Sequence, residues 1–365
     1  MRIWDLDTPA LLVDLDIVEK NIRRAADYAS HYGLRIRPHT KTHKVPELAR
    51  LQLDAGAAGL TVAKVGEAEV MAEVNPPQLL VAYPIIGADK LQRLVKITRR
   101  LKVTVALDSL EAAARLSSAA SSASVRFGVL AELNVGMNRV GVNPGAELRD
   151  LARGIARLPA LDFEGIAFYA GHIRRLDAEG LRALDSLGRL VRTAIADLRR
   201  DGFEVPVVSG GSTLTLFHSH LVDGMNEIRP GTYIFNDRNT LALGGCSLSD
   251  CAASMLVTIV STARPGQAII DGGSKTFSSD RLAGAGEEAG YGLVLEDHSI
   301  RFHRMSEEHG FLDLRACSRP LRIGDRLRII PNHICTAVNL HDTLYGVRGE
   351  EVVVEWKIRA RGCIR

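Results

Sequence analysis

The chain has few of the residues that would make it a disulfide-stapled, membrane or nucleic-acid protein. Its five cysteines (Cys246, Cys251, Cys317, Cys335, Cys363) are odd in number, irregularly spaced and confined to the last third of 365 residues. That is no disulfide framework; free thiols fit better, with one available as a ligand or reactive group. No apolar run approaches the length of a membrane span, and Met1-Arg2-Ile3-Trp4-Asp5 opens without the apolar core of a signal segment. No membrane association is expected, and the cytoplasm is the expected compartment. Neither sign of charge dominates: 46 Lys and Arg against 43 Asp and Glu leave a formal +3. The basic residues are scattered and aromatics make up only 5%, so no nucleic-acid partner is expected. Also missing is a glycine-rich turn after the first strand-like run, which argues against a doubly wound dinucleotide-binding sheet.

What is present is a rhythm. Apolar strand-like runs at 34–37, 58–62, 78–82, 102–107, 125–133, 163–168, 205–208 and 227–235 alternate with helical patterns. Those patterns lie at 46–55, 66–73, 88–101, 110–120, 146–157 and 178–200. Strands alternating with helices imply a parallel sheet with crossover helices, and eight strands close a (β/α)8 TIM-type barrel. After residue 239 the texture changes to short β-type runs at 255–263, 267–271, 291–295, 300–303, 326–330 and 352–358. These predict a C-terminal β-domain, and Ala10-Leu11-Leu12-Val13-Asp14, outside the barrel count, is expected to pair with it. The expected division is therefore a barrel over 15–239 and a β-domain of 1–14 with 240–365.

Reactive side chains in such a barrel sit at the carboxyl ends of the strands. The first strand runs into Arg37-Pro38-His39-Thr40-Lys41-Thr42-His43-Lys44. If this backbone stays extended, His39, Lys41 and His43 share a face, and neighbouring positive charge favours a neutral lysine. A basic loop held in solvent fits the same octapeptide. After the seventh and eighth strands come Ser209-Gly210-Gly211-Ser212-Thr213 and Arg229-Pro230-Gly231-Thr232-Tyr233, small and rich in amide and hydroxyl donors. This is where the fold often binds phosphate. A phosphate cup opposite a strand-end lysine points to a phosphorylated aldehyde held as a Schiff base, which means pyridoxal 5′-phosphate (PLP).

Asp7-Thr8-Pro9-Ala10, the octapeptide 37–44, the Gly136-Met137-Asn138-Arg139 turn, Ser209-Gly210-Gly211 and Arg229-Pro230-Gly231-Thr232-Tyr233 occur in one order along the chain. In that order they resemble the fold-type III PLP enzymes, and within them the D-threonine aldolase / D-serine dehydratase family with its alanine racemase-like N-terminal domain. The resemblance covers essentially the whole chain. It implies that Lys41 carries the cofactor, with Lys44 a solvent-side or phosphate-side charge, and that Arg139 faces the cofactor ring. It also implies that Tyr169 and His172 line the pocket, with Lys41, His39 and His172 as the catalytic set. Ser209, Gly210, Gly211, Ser212, Thr213, Gly231, Thr232 and Tyr233 would complete the cofactor site.

A second constellation is Pro331-Asn332-His333-Ile334-Cys335. On an extended strand His333 and Cys335 share a face, so imidazole and thiolate can reach one ion. The resemblance implies an activating divalent ion here, zinc or manganese, bound through His-x-Cys or His-x-Asp. The cysteine form leans towards zinc and towards dehydration. Coordination of a substrate β-hydroxyl serves dehydration and retro-aldol cleavage alike. His309 matches the family as well, while Asp237 and His341-Asp342 are polar positions without an assigned role. The reading is thus a PLP- and metal-dependent lyase of D-β-hydroxy-α-amino acids, a homodimer by resemblance, with aldolase and dehydratase both open. One alternative is a racemase, which needs a second base that is not evident around residues 246–255. The other is a non-catalytic PLP-homeostasis protein, a class that usually lacks the β-domain.

Overall fold

The structure, a computed structural model, describes residues 1–317 and 320–365. The first part of the chain runs β1 (Ala10–Asp14), α1 (Leu15–His31), β2 (Arg35–Ile36), α2 (Pro46–Asp54), β3 (Leu60–Val62) and α3 (Val65–Met71). It continues through β4 (Gln78–Val81), α4 (Ala88–Thr98), β5 (Lys102–Leu107), α5 (Leu110–Ser122) and β6 (Phe127–Glu132). Then come α6 (Ala146–Arg157), β7 (Leu161–Ala167), α7 (Ala178–Arg200), β8 (Val207–Gly210) and β9 (Glu227–Ile228). The remainder is α8 (Arg238–Ala242), β10 (Ala253–Ser261), β11 (Gln267–Ile270), α9 (Ser274–Phe277), β12 (Gly292–Val294) and β13 (Arg301–Met305). It ends in β14 (Gly310–Asp313), β15 (Arg326–Pro331), α10 (Ile334–Val338), β16 (Thr343–Arg348) and β17 (Glu351–Lys357). Two compact units result, one of residues 1–22, 42–45 and 232–362, the other of 23–41, 46–231 and 363–365.

The larger unit is the expected parallel barrel. Its eight strands pair in the order β2-β9-β8-β7-β6-β5-β4-β3, and a parallel bridge from His39 to Thr61 joins the two ends. Strands covered on both faces must be apolar throughout, and β6 is buried at every position. The crossover helices are amphipathic: in α7 the buried Leu184, Leu187, Val191, Ile195 and Leu198 recur at three- and four-residue spacing. The α7 N-terminus is capped by Asp177, whose carboxylate accepts from the amides of Glu179 and Gly180. Inside the barrel Glu227 accepts from Arg37 at 2.8 Å and from the Ser209 hydroxyl at 2.6 Å, a buried ion pair in which Arg37 Nε and Nη1 are left without a hydrogen-bond partner.

The smaller unit is the expected β-domain. Its nine strands run β11-β14-β13-β12-β15-β10-β1-β16-β17, and β11 pairs with β10 as well, closing six of them on themselves. The N-terminal strand β1 lies between β10 and β16, antiparallel to the first and parallel to the second, as its position outside the barrel count led us to expect.

Several expectations need correction. The eighth barrel strand is only two residues long, because Pro230 has no N–H to donate to a ladder and residues 232–234 turn into a short 3-10 helix. Between the expected runs lie elements that were not anticipated: α9, β14 and β16. The octapeptide does not stay extended. Residues 40–43 form a turn and Lys44 takes φ +58, so the common face on which the charge argument for His39, Lys41 and His43 rested does not form.

Candidate active site

At the carboxyl ends of the barrel strands, Lys41 is exposed one turn residue beyond His39, whose amide donates to Pro230 O at 2.9 Å. Lys44 differs from expectation. It lies in the smaller unit, is only 6% exposed and donates through Nζ to Ala360 O at 3.4 Å, so it is not a solvent-side charge.

The loops after β6 and β7 meet. The Arg139 guanidinium lies 5.1 Å from the centre of the Tyr169 ring, within cation–π range. Gly136 has φ +109, and a Cβ there would sit 3.4 Å from the His172 ring, so the glycine lets the imidazole lie against the turn. Arg139, Tyr169 and His172 thus form one wall, with Arg139 and His172 exposed and Tyr169 half-buried.

After β8, Gly210 could carry no side chain, since a Cβ would fall 2.4 Å from the Phe168 ring, and Gly211 turns the chain with φ +82. The Ser209 hydroxyl is committed to Glu227 and the Ser212 amide donates to Thr215 Oγ1 at 3.1 Å. Thr213 accepts from the Leu216 amide through its carbonyl, and Gly231 is buried. The hydroxyl of Ser209 therefore serves the barrel interior rather than the loop.

One strong group was not assigned a role from the sequence. Arg229, 7% exposed, donates through Nη2 to Phe168 O at 3.0 Å, while its Nη1 is buried without a hydrogen-bond partner. Burial pulls this guanidinium below its usual value, against the pull of Glu132 and Glu227. Glu132, the last residue of β6, is pushed up by burial and held back by Arg229 and Arg139. A buried guanidinium with a donor left over is what a cofactor acceptor atom would satisfy. With the exposed Lys41 and the glycine turn after β8, the residues present fit PLP.

In the smaller unit His333 and Cys335 do come together, by a different geometry from the one expected. They are not on a strand: β15 ends at Pro331, His333 is the extended N-cap of α10 with φ −134, and Cys335 lies in the first helical turn. The chain bends into the helix between them, which turns the two side chains towards one another. His333 Nδ1 is 3.0 Å from Asp237 Oδ2, and the ring also hydrogen-bonds the Cys335 thiol. Burial opposes the charged ring, yet Asp237 and Cys335 outweigh it and His333 is pushed up to about 11. Such surroundings call for a positive charge, and imidazole with thiolate is a donor pair for a borderline-soft ion, so the site fits a divalent metal. Among the described residues there is no cluster of three or more His, Cys, Asp or Glu poised for one ion.

Two hydroxyls reach the thiol: Thr42 Oγ1 at 3.2 Å and Thr232 Oγ1 at 3.6 Å from Cys335 Sγ. Thr232, expected at the cofactor, has its hydroxyl on Cys335 instead, and Tyr233 is buried with its carbonyl accepting from Asn236. His309 sits exposed at the β13–β14 turn, and His341 Nε2 donates to Thr276 O at 3.0 Å. None of the five cysteines, all among the described residues, forms a disulfide.

The family model described as alanine racemase, N-terminal domain, matches residues 13–239, and that of a putative serine dehydratase domain matches residues 252–347. The chain belongs to the D-threonine aldolase / D-serine dehydratase family. This is a family of fold-type III PLP lyases, and it implies PLP together with a metal. The chain is 31% identical to a 3-hydroxy-D-aspartate aldolase of Paracoccus denitrificans, over 98% of this chain and 93% of that one. It is 34% identical to the D-threo-3-hydroxyaspartate dehydratase of a Delftia species, over 90% and 91%. The crystal structure of D-threonine aldolase from Filomicrobium marinum superposes with a TM-score of 0.92 at 32% identity, covering 99% and 98%. Two solved variants of a D-threo-3-hydroxyaspartate dehydratase (TM-scores 0.87 and 0.85) replace a histidine and a cysteine two positions apart by alanine. The cysteine variant is described as the metal-free form. No helix among the described residues of this chain is long and apolar enough to cross a membrane.

Proposed function

We propose that this chain is a PLP- and metal-dependent lyase of D-β-hydroxy-α-amino acids that works by dehydration. The observation that carries the reading is the meeting of His333 with Cys335 beside Asp237. The His-x-Cys spacing recurs in the dehydratase whose cysteine variant is the metal-free form. We take residues 15–239 as the cofactor domain and 1–14 with 240–365 as the domain that carries the ion. Zinc is the ion we assign, because thiolate is a soft ligand.

When bound, PLP supplies a sink for the electron pair left at Cα, and the ion supplies a Lewis acid for the β-oxygen. Lys41 is the residue that would hold PLP by its aldehyde, and its amine is the group that would hold or move the Cα proton. Arg229 would offer its unused Nη1 to the cofactor, and the glycine turn after β8 with Gly231 would hold its phosphate. Arg139 and Tyr169 would hold the cofactor ring, and His172 lines the wall they share. His39 is held by its backbone at the strand end next to Lys41 and shapes the lysine's approach. His333 and Cys335 hold the ion. Loss of the Cα proton and the β-hydroxyl as water, then hydrolysis, yields a 2-oxo acid and ammonia.

The homodimer rests on the family resemblance, the cytoplasmic location on the sequence lacking a signal core or membrane span, and the substrates are small amino acids. The deciding experiment incubates the protein, PLP and zinc with D-threonine and with D-threo-3-hydroxyaspartate. Formation of 2-oxobutyrate or oxaloacetate with ammonia is expected, and the L-enantiomers should be inert. Glycine with an aldehyde instead would establish the aldolase reading, and cofactor binding without turnover would return the homeostasis reading.

A further inference from the structure

Asp237 is 1% exposed and its two carboxylate oxygens do different work. As N-cap of α8 it accepts through Oδ1 from the Thr240 amide and the Thr240 hydroxyl, both at 2.8 Å. Through Oδ2 it accepts from the Ile334 amide at 3.1 Å and meets His333 Nδ1 at 3.0 Å. One side chain therefore joins the starts of two short helices, and Asn239 N donating to Asn332 O at 3.1 Å ties the same two segments through the backbone. With both oxygens occupied by donors, Oδ2 leaves the imidazole a single favourable arrangement in which Nδ1 carries the proton. An ion bound here would take the other ring nitrogen, displacing any proton it carries.

We propose that Asp237 is the positioning residue of the metal site, fixing the tautomer and the ring plane of His333 so that its second nitrogen and Cys335 meet one divalent ion. This rests on the metal reading given above. A carboxylate behind a ligating imidazole is a recurrent means of raising ligand basicity and orientation, and its loss typically weakens metal binding 10- to 100-fold. Asp237→Asn is the informative substitution. Its amide oxygen can go on accepting from Thr240, but its NH2 then faces Ile334 N–H and Nδ1, which must become an acceptor. The ring proton moves to the nitrogen that the ion needs.

The test measures zinc affinity of the purified protein by competition with a chromophoric chelator, and the absorption spectrum of the cobalt-loaded protein. Asp237→Asn should bind zinc about 10- to 100-fold more weakly and perturb the cobalt ligand-field bands. Thr240→Val, which removes a hydrogen bond from Oδ1 and leaves Oδ2 intact, should lower the melting temperature without changing zinc affinity. Equal effects of the two substitutions on affinity would make Asp237 a structural cap and overturn the proposal, as would unchanged affinity in Asp237→Asn. Should that variant not fold, the zinc-loaded wild type still decides: the His333 Nδ1 proton should appear as a slowly exchanging imidazole resonance absent from His333→Ala, and its absence overturns the proposal. A wild type that binds no zinc, cobalt or manganese removes the metal reading itself, and Asp237 with it.

Discussion

Thr42 Oγ1 lies 3.2 Å from Cys335 Sγ, so the residue that follows Lys41 in the chain is bonded to the thiol assigned to the ion. A hydroxyl that can donate to a thiolate favours its charged form. Thr42→Val keeps the branched shape and removes the donor. It should weaken zinc binding about tenfold, while Thr42→Ser should retain most of it, as a chelator competition would read.

Lys41 and Lys44 are three residues apart but have opposite surroundings, one exposed and one buried against Ala360. Lys41→Ala should lose the visible absorption of bound PLP and all turnover. Lys44→Met should keep that absorption, because its ammonium faces a backbone carbonyl of the smaller unit. A Lys44→Met protein without the band would shift the assignment away from Lys41.

Arg229 and Glu132 are both buried, and the guanidinium favours the charged form of the carboxylate against the burial that opposes it. Arg229→Met leaves the carboxylate without its main compensation and should cost about 3 kcal/mol in urea unfolding. Adding Glu132→Gln removes the stranded charge and should recover more than half of that loss. Additive losses in the double variant would show that the two side chains are not coupled.

Asp250 is buried against Lys20 at 2.8 Å and the Ser247 hydroxyl at 2.7 Å. Burial raises its pKa, but these hydrogen bonds win and hold it at about 2, below the ordinary 3.8. A depressed carboxylate contributes stability above the unfolded value and loses it as pH falls from about 4 to about 2. Asp250→Asn should therefore cost up to about 2 kcal/mol at neutral pH and nothing below pH 2, by denaturation at several pH values.

The sequence by itself determined the barrel, the β-domain and the chemical types at the site, because strand and helix periodicity is local and the strand-end residues are covalently attached to it. Even the pairing of Ala10–Asp14 with the second sheet was legible, since that run had no place in the alternating pattern. Tertiary structure decided how those types are used. The turn at 40–43 separated Lys41 from Lys44, which no alternation rule could do. The Ser209 hydroxyl went to Glu227 because strands β8 and β9 are neighbours in the sheet, 18 residues apart in the chain. Asp237 and His333 are 96 residues apart, and Thr42 and Cys335 are 293 apart. Contacts of that range depend on how turns and helix starts are packed in three dimensions. The two residue types that would hold an ion could be read from a His-x-Cys spacing, but the carboxylate and hydroxyls that support them became visible only in the fold.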